Sequence, residues 1–528
     1  MAALAAGLFA RLFQIELQVP IDDEWHAIAK ASEASYLQIV LSFGLADHSI
    51  PIALAVRWLI GTGRLSEAWL FAPPIAAGIL VCFLLVAAMR RTVPPLALAT
   101  FAGLLAVSPL LVLYARQARP YVFTLLLCLV AAWAAWRWWQ EGRTVHAVAY
   151  VVAAPLAVWM HLIVAPFALG VWVVFLAQWL LDRRRDSRRF LAMVVLGALT
   201  VSITAALIGP PLVADWANLR AKAAADFPDL YTLERTAALM TGTASALPAL
   251  ALFLVAAPGV VLLHRASPGP TRFVLALLFL QVASVLASQA YLLHYALVLS
   301  RYLLIGLPFL LLAAAVGFAW LVQPLAAFGR WIPWACAGGA VAGLVALGPL
   351  PVALAYPNSF FQHHVYFFDF EEAENPVTAV LKPGPMPEFY RRLGDEPAAS
   401  VTLIEAPWRH ESIFNRLPIF QQVHRQRVKI GMVGKLCPPG AYAEYPRLVR
   451  NKLRNLVDLS MPADALRREA DYVVFHRRLD LPNLTKNWQY PGGLGLPAVD
   501  GCIERFIGAF GPPVYEDATV TVFALGKR

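Results

Sequence analysis

The chain has 528 residues, of which 59% are hydrophobic and 14% are charged, and its mean hydropathy is +0.62. Soluble domains carry about 25% charged residues, so this composition excludes a soluble globular protein and predicts several membrane spans. The formal net charge is +10, yet residues 356–528 are almost balanced, with 21 Lys and Arg against 19 Asp and Glu. The positive excess therefore lies in the apolar part, where it indicates membrane topology and not nucleic-acid binding.

Eleven apolar segments approach the roughly 20 residues that a transmembrane helix requires. They run over 2–19, 68–89, 94–113, 121–136, 145–160, 163–181, 190–208, 246–263, 273–293, 302–322 and 331–355. The pattern predicts a polytopic α-helical membrane domain over residues 1–355.

A basic cluster follows every second predicted span, so all the clusters lie on the same face of the membrane. The clusters are Arg90 with Arg91, Arg137 with Arg143, Arg183 to Arg189, Arg265 with Arg272, and Arg330. Loops rich in Lys and Arg stay in the cytoplasm. This places the N-terminus inside the cell, and it places the first long loop (20–67) and everything after residue 355 on the outer face.

Residues 356–528 have shorter apolar runs and read as a separate α/β domain. Strands are predicted at 400–406, 427–433, 471–476 and 519–525, and helices at 445–459 and 463–470. Cys437 and Cys502 are able to pair if this domain lies outside the cytoplasm, where disulfides persist.

The first outer loop begins with the acidic run Asp22, Asp23 and Glu24, followed by His26. Carboxylates are costly to place in lipid, so the run is predicted at the water-facing end of the first helix. A simpler interpretation is a solvated loop edge at a helix start, where Asp and Glu are favoured. Residues 25–43 that follow predict a helix along the membrane surface.

Three arginines occupy the predicted outer face, each close to a tyrosine. Arg116 and Arg119 stand in the second outer turn, just before Tyr121, and Arg301 precedes Tyr302 at the start of a late span. Arginines at helix ends often extend toward the interface for solvation alone. The planar guanidinium also binds phosphate in a bidentate way, so the three together favour an anion held at the membrane surface.

These motifs resemble the integral-membrane GT-C glycosyltransferases, in the branch that contains the protein O-mannosyltransferases and the lipid A aminoarabinose transferase. The resemblance covers roughly residues 1–320. It rests on Asp-Asp-Glu-Trp-His at 22–26, Asp-His-x-x-Pro at 47–51, Tyr-Ala-Arg-Gln-Ala-Arg-Pro-Tyr at 114–121 and Arg-Tyr-Leu-Leu at 301–304. Members of the family transfer a sugar from a polyprenyl phosphate to a hydroxyl of a protein, lipid or glycan on the outer face.

The resemblance implies a role for each matching residue. Asp23, or Glu24 beside it, is the predicted general base, and Asp47 matches a second loop acid. Donor phosphate contacts fall on Arg119 and Arg301. From their place beside these residues, Arg116, Tyr121 and Tyr302 are predicted as further phosphate contacts, with pairing to a loop acid as the alternative for Arg116, and Asp22, His26 and His48 are predicted as acceptor or accessory residues. Many relatives have Glu where this chain has Gln117, so a carboxylate role there is lost or moved.

The predicted partners are a polyprenyl-phosphate-linked sugar, a glycan, lipid or protein acceptor, and membrane lipid, without nucleic acid. No cofactor is firmly implied, because some GT-C enzymes use a divalent metal and others do not. The alternative function is a transporter or flippase of a lipid-linked sugar. Such a protein has no need of the acidic run, and it usually shows paired half-repeats, which this sequence lacks.

Overall fold

The structure is a computed structural model of the chain. It describes residues 2–18, 20, 23–43, 49–181, 186–223, 227–243, 246–290, 292–355, 386–406, 417–432, 453, 456–477 and 498–526. The chain divides into two compact units. The first comprises Met1–Phe13, Ala34–Ala55 and Phe71–Pro351, and the second comprises Gln14–Glu33, Val56–Leu70 and Val352–Arg528. The predicted domain limits, 1–355 and 356–528, stay a prediction.

Seven helices in the described part of the chain are long and apolar enough to cross a membrane. They are Glu67–Met89, Tyr121–Glu141, Leu162–Leu181, Ser187–Ala214, Ala246–Ala266, Pro268–Ser288 and Leu304–Ala327. An eighth candidate is a pair of helices, Pro95–Val107 and Pro109–Ala115, bent by 52°. Together with the small C-terminal sheet, these helices confirm the predicted fold class.

Other helices are shorter than a span. The apolar ones are Ala2–Leu12, Ile50–Gly61, Thr144–Met160 and Ile332–Leu347. Further short helices are Asp23–Glu33, Tyr36–Val40, Trp216–Ala221, Leu230–Thr241, Ala296–Tyr302 and Leu350–Ala355. Three of the eleven predicted spans, the first, fifth and last, therefore contain apolar helices of 11, 17 and 16 residues.

The surface helix predicted over 25–43 is broken into two, which corrects that prediction. Ser35 begins the second helix, Tyr36–Val40, with a capping box. Its hydroxyl accepts the backbone N–H of Gln38 at 3.3 Å, and the Gln38 side chain accepts the backbone N–H of Ser35 at 2.8 Å. These two hydrogen bonds satisfy donors at a new helix start, so the chain can stop one helix and begin another.

The bend between Pro95–Val107 and Pro109–Ala115 is held by a buried arginine. Arg11 is 1% exposed, and its guanidinium donates to the carbonyls of Leu105 at 3.4 Å and Ala106 at 3.2 Å. In an unbroken helix the Leu105 carbonyl would accept from residue 109, which is proline and has no N–H. Arg11 thus supplies a donor that the sequence of the bend removes.

We expect Arg11→Met to destabilise the protein by about 2–4 kcal/mol, because carbonyls of the bend lose their donor in an apolar interior. Thermal unfolding of the detergent-solubilised protein measures the change. Arg90→Met is the matched control, since Arg90 is exposed at the end of a predicted span, and its effect should stay within about 0.5 kcal/mol. Equal unfolding temperatures for the two variants would contradict the role given to Arg11.

Two glycines allow a backbone-to-backbone contact between the helices Ala246–Ala266 and Leu307–Val322. A Cβ atom on Gly259 would lie 1.8 Å from the carbonyl oxygen of Ala313, and one on Gly317 would lie 1.9 Å from that of Val255. No larger residue fits, which is the usual use of small residues where membrane helices meet.

The C-terminal region forms a six-stranded sheet in the order β3-β2-β1-β4-β6-β5. Its strands are β1 (Thr402–Ala406), β2 (Arg427–Met432), β3 (Leu456–Asp458), β4 (Tyr472–His476), β5 (Tyr515–Glu516) and β6 (Val520–Ala524). The first four are parallel, and β6 runs antiparallel to β4 and β5. Its helices are Glu388–Gly394, Leu417–His424, Ala463–Glu469 and Ala498–Phe510. The four predicted strands and the predicted helix at 463–470 are confirmed.

The helix predicted over 445–459 is wrong where the structure describes it. Residues Leu456–Asp458 form β3, and Val457 pairs with Gly431 of β2. Val457 is 2% exposed, so pairing with β2 and burial decide the conformation of this short segment over its helical periodicity. Residues 445–452 lie outside the described residues.

A buried polar network joins the sheet to the helix Glu388–Gly394. Glu405 is the penultimate residue of β1. Its carboxylate lies 2.6 Å from Nε2 of His476, the last residue of β4. The hydroxyl of Tyr390 donates to the same carboxylate at 2.8 Å. Burial, followed by the charge of Glu405, raises the pKa of Tyr390 well above its ordinary value. This network was not predicted, because its members are far apart in the sequence.

His424 beside this network makes the stability of the region depend on pH. Its side chain is buried and its Nδ1 accepts the backbone N–H of Gln426 at 2.9 Å. Burial lowers the pKa of His424 from 6.5 to about 4. The unfolded chain therefore binds this proton at a higher pH than the folded chain does, so stability is lost as the pH falls from about 6.5 toward 4.

We expect the free energy of unfolding to be about 3 kcal/mol lower at pH 4 than at pH 7 through this histidine alone. Limited proteolysis of the C-terminal region in the full-length protein, across that pH range, measures the effect. His424→Asn keeps an acceptor for Gln426 and should flatten the dependence, while His264→Asn at an exposed position should not. If the free energy of unfolding depends on pH in the same way in His424→Asn, another group causes the loss of stability in acid.

Candidate functional site

The ring of Tyr121 brings two of the predicted phosphate-binding arginines together within the first unit. The guanidinium carbon of Arg119 lies 5.8 Å from the ring centroid, and that of Arg301 lies 4.7 Å from it. Arg119 Nη2 also donates to the Tyr121 hydroxyl at 3.5 Å. One tyrosine ring thus contacts two guanidinium groups through its electron-rich face.

Local structure explains why Arg119 occupies this position. Residues 116–120 form a buried turn between the helices Pro109–Ala115 and Tyr121–Glu141, and Arg119 is 2% exposed. Pro120 precedes the second helix, where its fixed φ suits a helix start. Arg301 comes from the penultimate position of the helix Ala296–Tyr302. The sequence predicted both residues, and the fold places them on the same ring.

Aromatic side chains continue from Tyr121 in a row. The ring centroids of Tyr121 and His161 are 5.7 Å apart, and those of His161 and Tyr302 are 5.8 Å apart. His161 Nδ1 accepts the backbone N–H of Ile163 at 3.4 Å, which puts the proton of the neutral ring on Nε2. The sequence motifs do not include His161, so its place in this row is a finding of the structure.

Gln281 is a second residue that the sequence analysis missed. It is 1% exposed within the helix Pro268–Ser288, and its Nε2 donates to the carbonyls of Ile163 at 3.0 Å and Tyr302 at 3.2 Å. Tyr302 belongs to the aromatic row, and Ile163 lies two residues after His161 of the same row. The signal was present in the sequence as a single amide in an apolar stretch, because such a group needs partners inside the protein.

Arg116 makes contacts of a different kind. It is fully buried, and its Nη1 donates to the carbonyls of Ala10 at 3.2 Å and Phe13 at 3.0 Å, at the end of the first helix. These carbonyls have no partner within the helix, so Arg116 satisfies its C-terminus. Its described contacts favour a positioning role over the predicted phosphate contact, which stays a prediction.

The acidic run belongs to the second unit. Asp23 is the first residue of the helix Asp23–Glu33, and the side chain of Glu24 is 1% exposed. The helix start agrees with the favoured position of acids near a positive helix end. The remaining predicted acids and histidines lie outside the described residues: Asp22, Asp47, His48 and the side chains of Asp23 and His26. Within the described part of the chain, no three His, Cys, Asp or Glu side chains are grouped to hold a metal.

A cavity of about 140 Å³ adjoins the aromatic row within the first unit. Its lining includes His161 and Tyr302 from the row, together with Trp159, Phe43 and Lys222. His161 and Tyr302 therefore belong both to the cavity lining and to the aromatic row that begins at Tyr121.

No protein-family profile and no curated protein matches the sequence. The solved structures that are similar along the whole chain include ArnT from Cupriavidus metallidurans in the apo state and ArnT from the same organism bound to undecaprenyl phosphate. The first has 13% identity and a TM-score of 0.42, and covers 100% of this chain and 97% of its own. The second has 12% identity and a TM-score of 0.43, and covers 99% and 97%.

ArnT is a GT-C lipid A aminoarabinose transferase, which is the branch that the sequence motifs resemble. Identity and TM-score at this level are too low to transfer an activity or the role of a residue.

Proposed function

We propose that this chain is a glycosyltransferase that moves a sugar from a polyprenyl-phosphate donor to a hydroxyl of a glycan, lipid or protein acceptor. The supporting observation is the convergence of Arg119 and Arg301 on the ring of Tyr121. A phosphate attached to a lipid suits this site, because the guanidinium groups of the buried Arg119 and the half-buried Arg301 can each bind phosphate oxygens in a bidentate way.

In the proposed reaction the acceptor oxygen bonds to the anomeric carbon as the bond between that carbon and the phosphate oxygen breaks. The electron pair of the broken bond leaves with the polyprenyl phosphate, and the acceptor proton passes to a carboxylate. Arg119 and Arg301 stabilise the charge that develops on the phosphate. In-line attack inverts the anomeric centre.

We assign proton removal to Asp23 or Glu24, with Asp47 as a second acid, on the resemblance of the sequence motifs. Asp22, His26 and His48 keep their proposed accessory roles at the acceptor. Tyr121 and Tyr302 frame the phosphate, and their ring contacts in the aromatic row support this.

The proposed location is the cytoplasmic membrane, with the N-terminus inside and the C-terminal domain outside. The basic clusters in alternate loops support this orientation. Cys502 supports it as well, because it is buried and disulfide-bonded, and disulfides persist mainly outside the reducing cytoplasm. Cys437, which the sequence analysis named as able to pair with Cys502 outside the cytoplasm, lies outside the described residues.

The experiment that tests the function uses the purified protein in lipid vesicles with a radiolabelled polyprenyl-phosphate sugar and several acceptor pools. Label transferred to an acceptor, with release of polyprenyl phosphate, supports the glycosyltransferase. Donor that crosses the bilayer intact, with no transfer to any pool, would favour the transporter instead. If the protein does not bind polyprenyl phosphate at all, both the glycosyltransferase and the transporter function are contradicted.

A further inference from the structure

We infer that Gly78 and Arg116 are positioning residues, which hold the turn that carries Arg119 in place for the donor phosphate. They do so in a joint where three helices meet, namely Ala2–Leu12, Glu67–Met89 and Pro109–Ala115. The inference rests on the proposed function and deepens it, because it names residues that act on the phosphate through Arg119. Gly78 belongs to none of the sequence motifs, and it has no side chain with which to bind phosphate itself.

Two buried arginines are exchanged between the first helix and the bent pair of helices. Arg11 of the first helix donates to two carbonyls at the bend, while Arg116, directly after the bent pair, donates to two carbonyls at the end of the first helix. The four donor–acceptor distances lie between 3.0 and 3.4 Å. Separating these partners would leave charged donors unsatisfied in an apolar interior. The first helix and the bent pair are therefore fixed to each other at two levels.

The helix Glu67–Met89 completes the joint through Gly78. A Cβ atom on Gly78 would lie 2.4 Å from the Cβ of Ala115 and 3.4 Å from Nε of Arg11. Ala115 is fully buried and directly precedes Arg116. Glycine at residue 78 thus lets the end of the bent pair approach this helix closely, which is the usual role of small residues between membrane helices.

A short stretch of backbone connects the joint to the phosphate site. Arg116 and Arg119 belong to the same buried turn, residues 116–120, and Arg119 is 2% exposed. Close-packed interiors transmit strain, so a buried turn moves when one of its ends is displaced. A shift of Ala115 and Arg116 therefore reaches the guanidinium of Arg119. A misplacement of about 1 Å is enough to impair an oriented contact in a site.

Gly78→Ala tests the inference without changing any charge. The added methyl group overlaps the Cβ of Ala115, so the end of the bent pair has to shift. We expect the dissociation constant of polyprenyl phosphate in detergent to rise on the order of tenfold. The dissociation constant of the uncharged polyprenol should change by less than about twofold, because only the phosphate contact is displaced. Gly209→Ala is the matched control, since a Cβ atom there meets no atom within 4 Å, and both constants should stay unchanged.

Two double variants show whether the effect passes through the joint and through Arg119. Ala115→Gly combined with Gly78→Ala removes the overlapping methyl group and should restore phosphate binding to within about threefold of the wild type. In an Arg119→Gln background, Gly78→Ala should raise the dissociation constant by less than about twofold, because the residue through which it acts is gone. A full tenfold rise in that background, or no recovery in the first double variant, would overturn the inference.

Unfolding temperatures are measured for every variant, so that packing is separated from positioning. A lower unfolding temperature in Gly78→Ala with unchanged phosphate binding would make Gly78 a packing residue and overturn the inference. If Gly78→Ala does not fold, Gly7→Ala takes its place, because a Cβ atom on Gly7 would lie 3.2 Å from that of Ala106 and forces a smaller shift of the first helix. That variant should weaken phosphate binding about threefold, and unchanged binding in it would overturn the inference.

The wild type distinguishes failure of this inference from failure of the proposed function. If the wild-type protein does not bind polyprenyl phosphate, the proposed function is contradicted and no positioning role is left to assign. If the wild type binds the lipid phosphate and Gly78→Ala weakens phosphate and polyprenol equally, the shift acts on the lipid chain. That result overturns only the positioning of Arg119 by Gly78 and Arg116.

Discussion

Arg301→Gln is expected to lower the rate of sugar transfer by about 10²–10³, which is the usual cost of removing one group that stabilises transition-state charge. The guanidinium of Arg301 contacts the same tyrosine ring as that of Arg119. Since the leaving phosphate gains charge as the glycosidic bond breaks, the loss should fall mainly on the chemical step. Single-turnover transfer from a saturating labelled donor measures it.

The controls distinguish phosphate stabilisation from packing. Arg189 makes a similar stack on Trp139, at 4.8 Å, and donates to its carbonyl at 2.8 Å, but it lies in the predicted cytoplasmic cluster. Arg189→Gln therefore removes the same kind of contact and should leave the rate within a few-fold. The double variant Arg119→Gln with Arg301→Gln should lose less than the product of the single losses, because neighbours on one ring are coupled. Equal losses for Arg189 and Arg301 would make Arg301 a packing residue.

Asp23→Asn is expected to reduce transfer by about 10²–10⁴ while donor binding is retained, because a general base contributes this much and takes no part in holding the donor. Glu24→Gln, by contrast, should lower transfer by less than about tenfold. The side chain of Glu24 is 1% exposed at the start of its helix, where a carboxylate stabilises the helix end and is poorly accessible to an acceptor. Both variants keep the shape of the side chain and remove its charge. Transfer rate and donor affinity are measured in parallel.

The pH profile gives an independent readout of the base. Transfer by the wild type should fall on the acid side as the carboxylate is protonated, and Asp23→Asn should lose that limb. If Glu24→Gln shows the large loss and Asp23→Asn does not, the base is Glu24. If neither variant loses activity, proton removal belongs to another residue, and Asp47 is the next one to replace.

Composition and local pattern were enough to predict the class of the protein. Long apolar runs need no partner to be recognised as membrane helices, because lipid imposes helical hydrogen bonding on each one separately. Short runs rich in β-branched and aromatic residues identified β1, β2, β4 and β6 for a similar reason, since such runs mark buried strands locally. The candidate phosphate-binding residues Arg119, Tyr121 and Arg301 were also recognisable from the sequence.

The tertiary structure decided what depends on distant partners. The break at Ser35, the bend held by Arg11 and the short strand β3 each depend on a hydrogen-bond partner or neighbour that a local pattern does not weigh. The same holds for Gln281, whose two acceptors come from separate segments. The sequence by itself determined a multi-span helical protein with arginines suited to a phosphate. Only the fold brought Arg119 and Arg301 to one ring and placed a cavity next to the aromatic row, because contacts between distant segments form only when the whole unit packs.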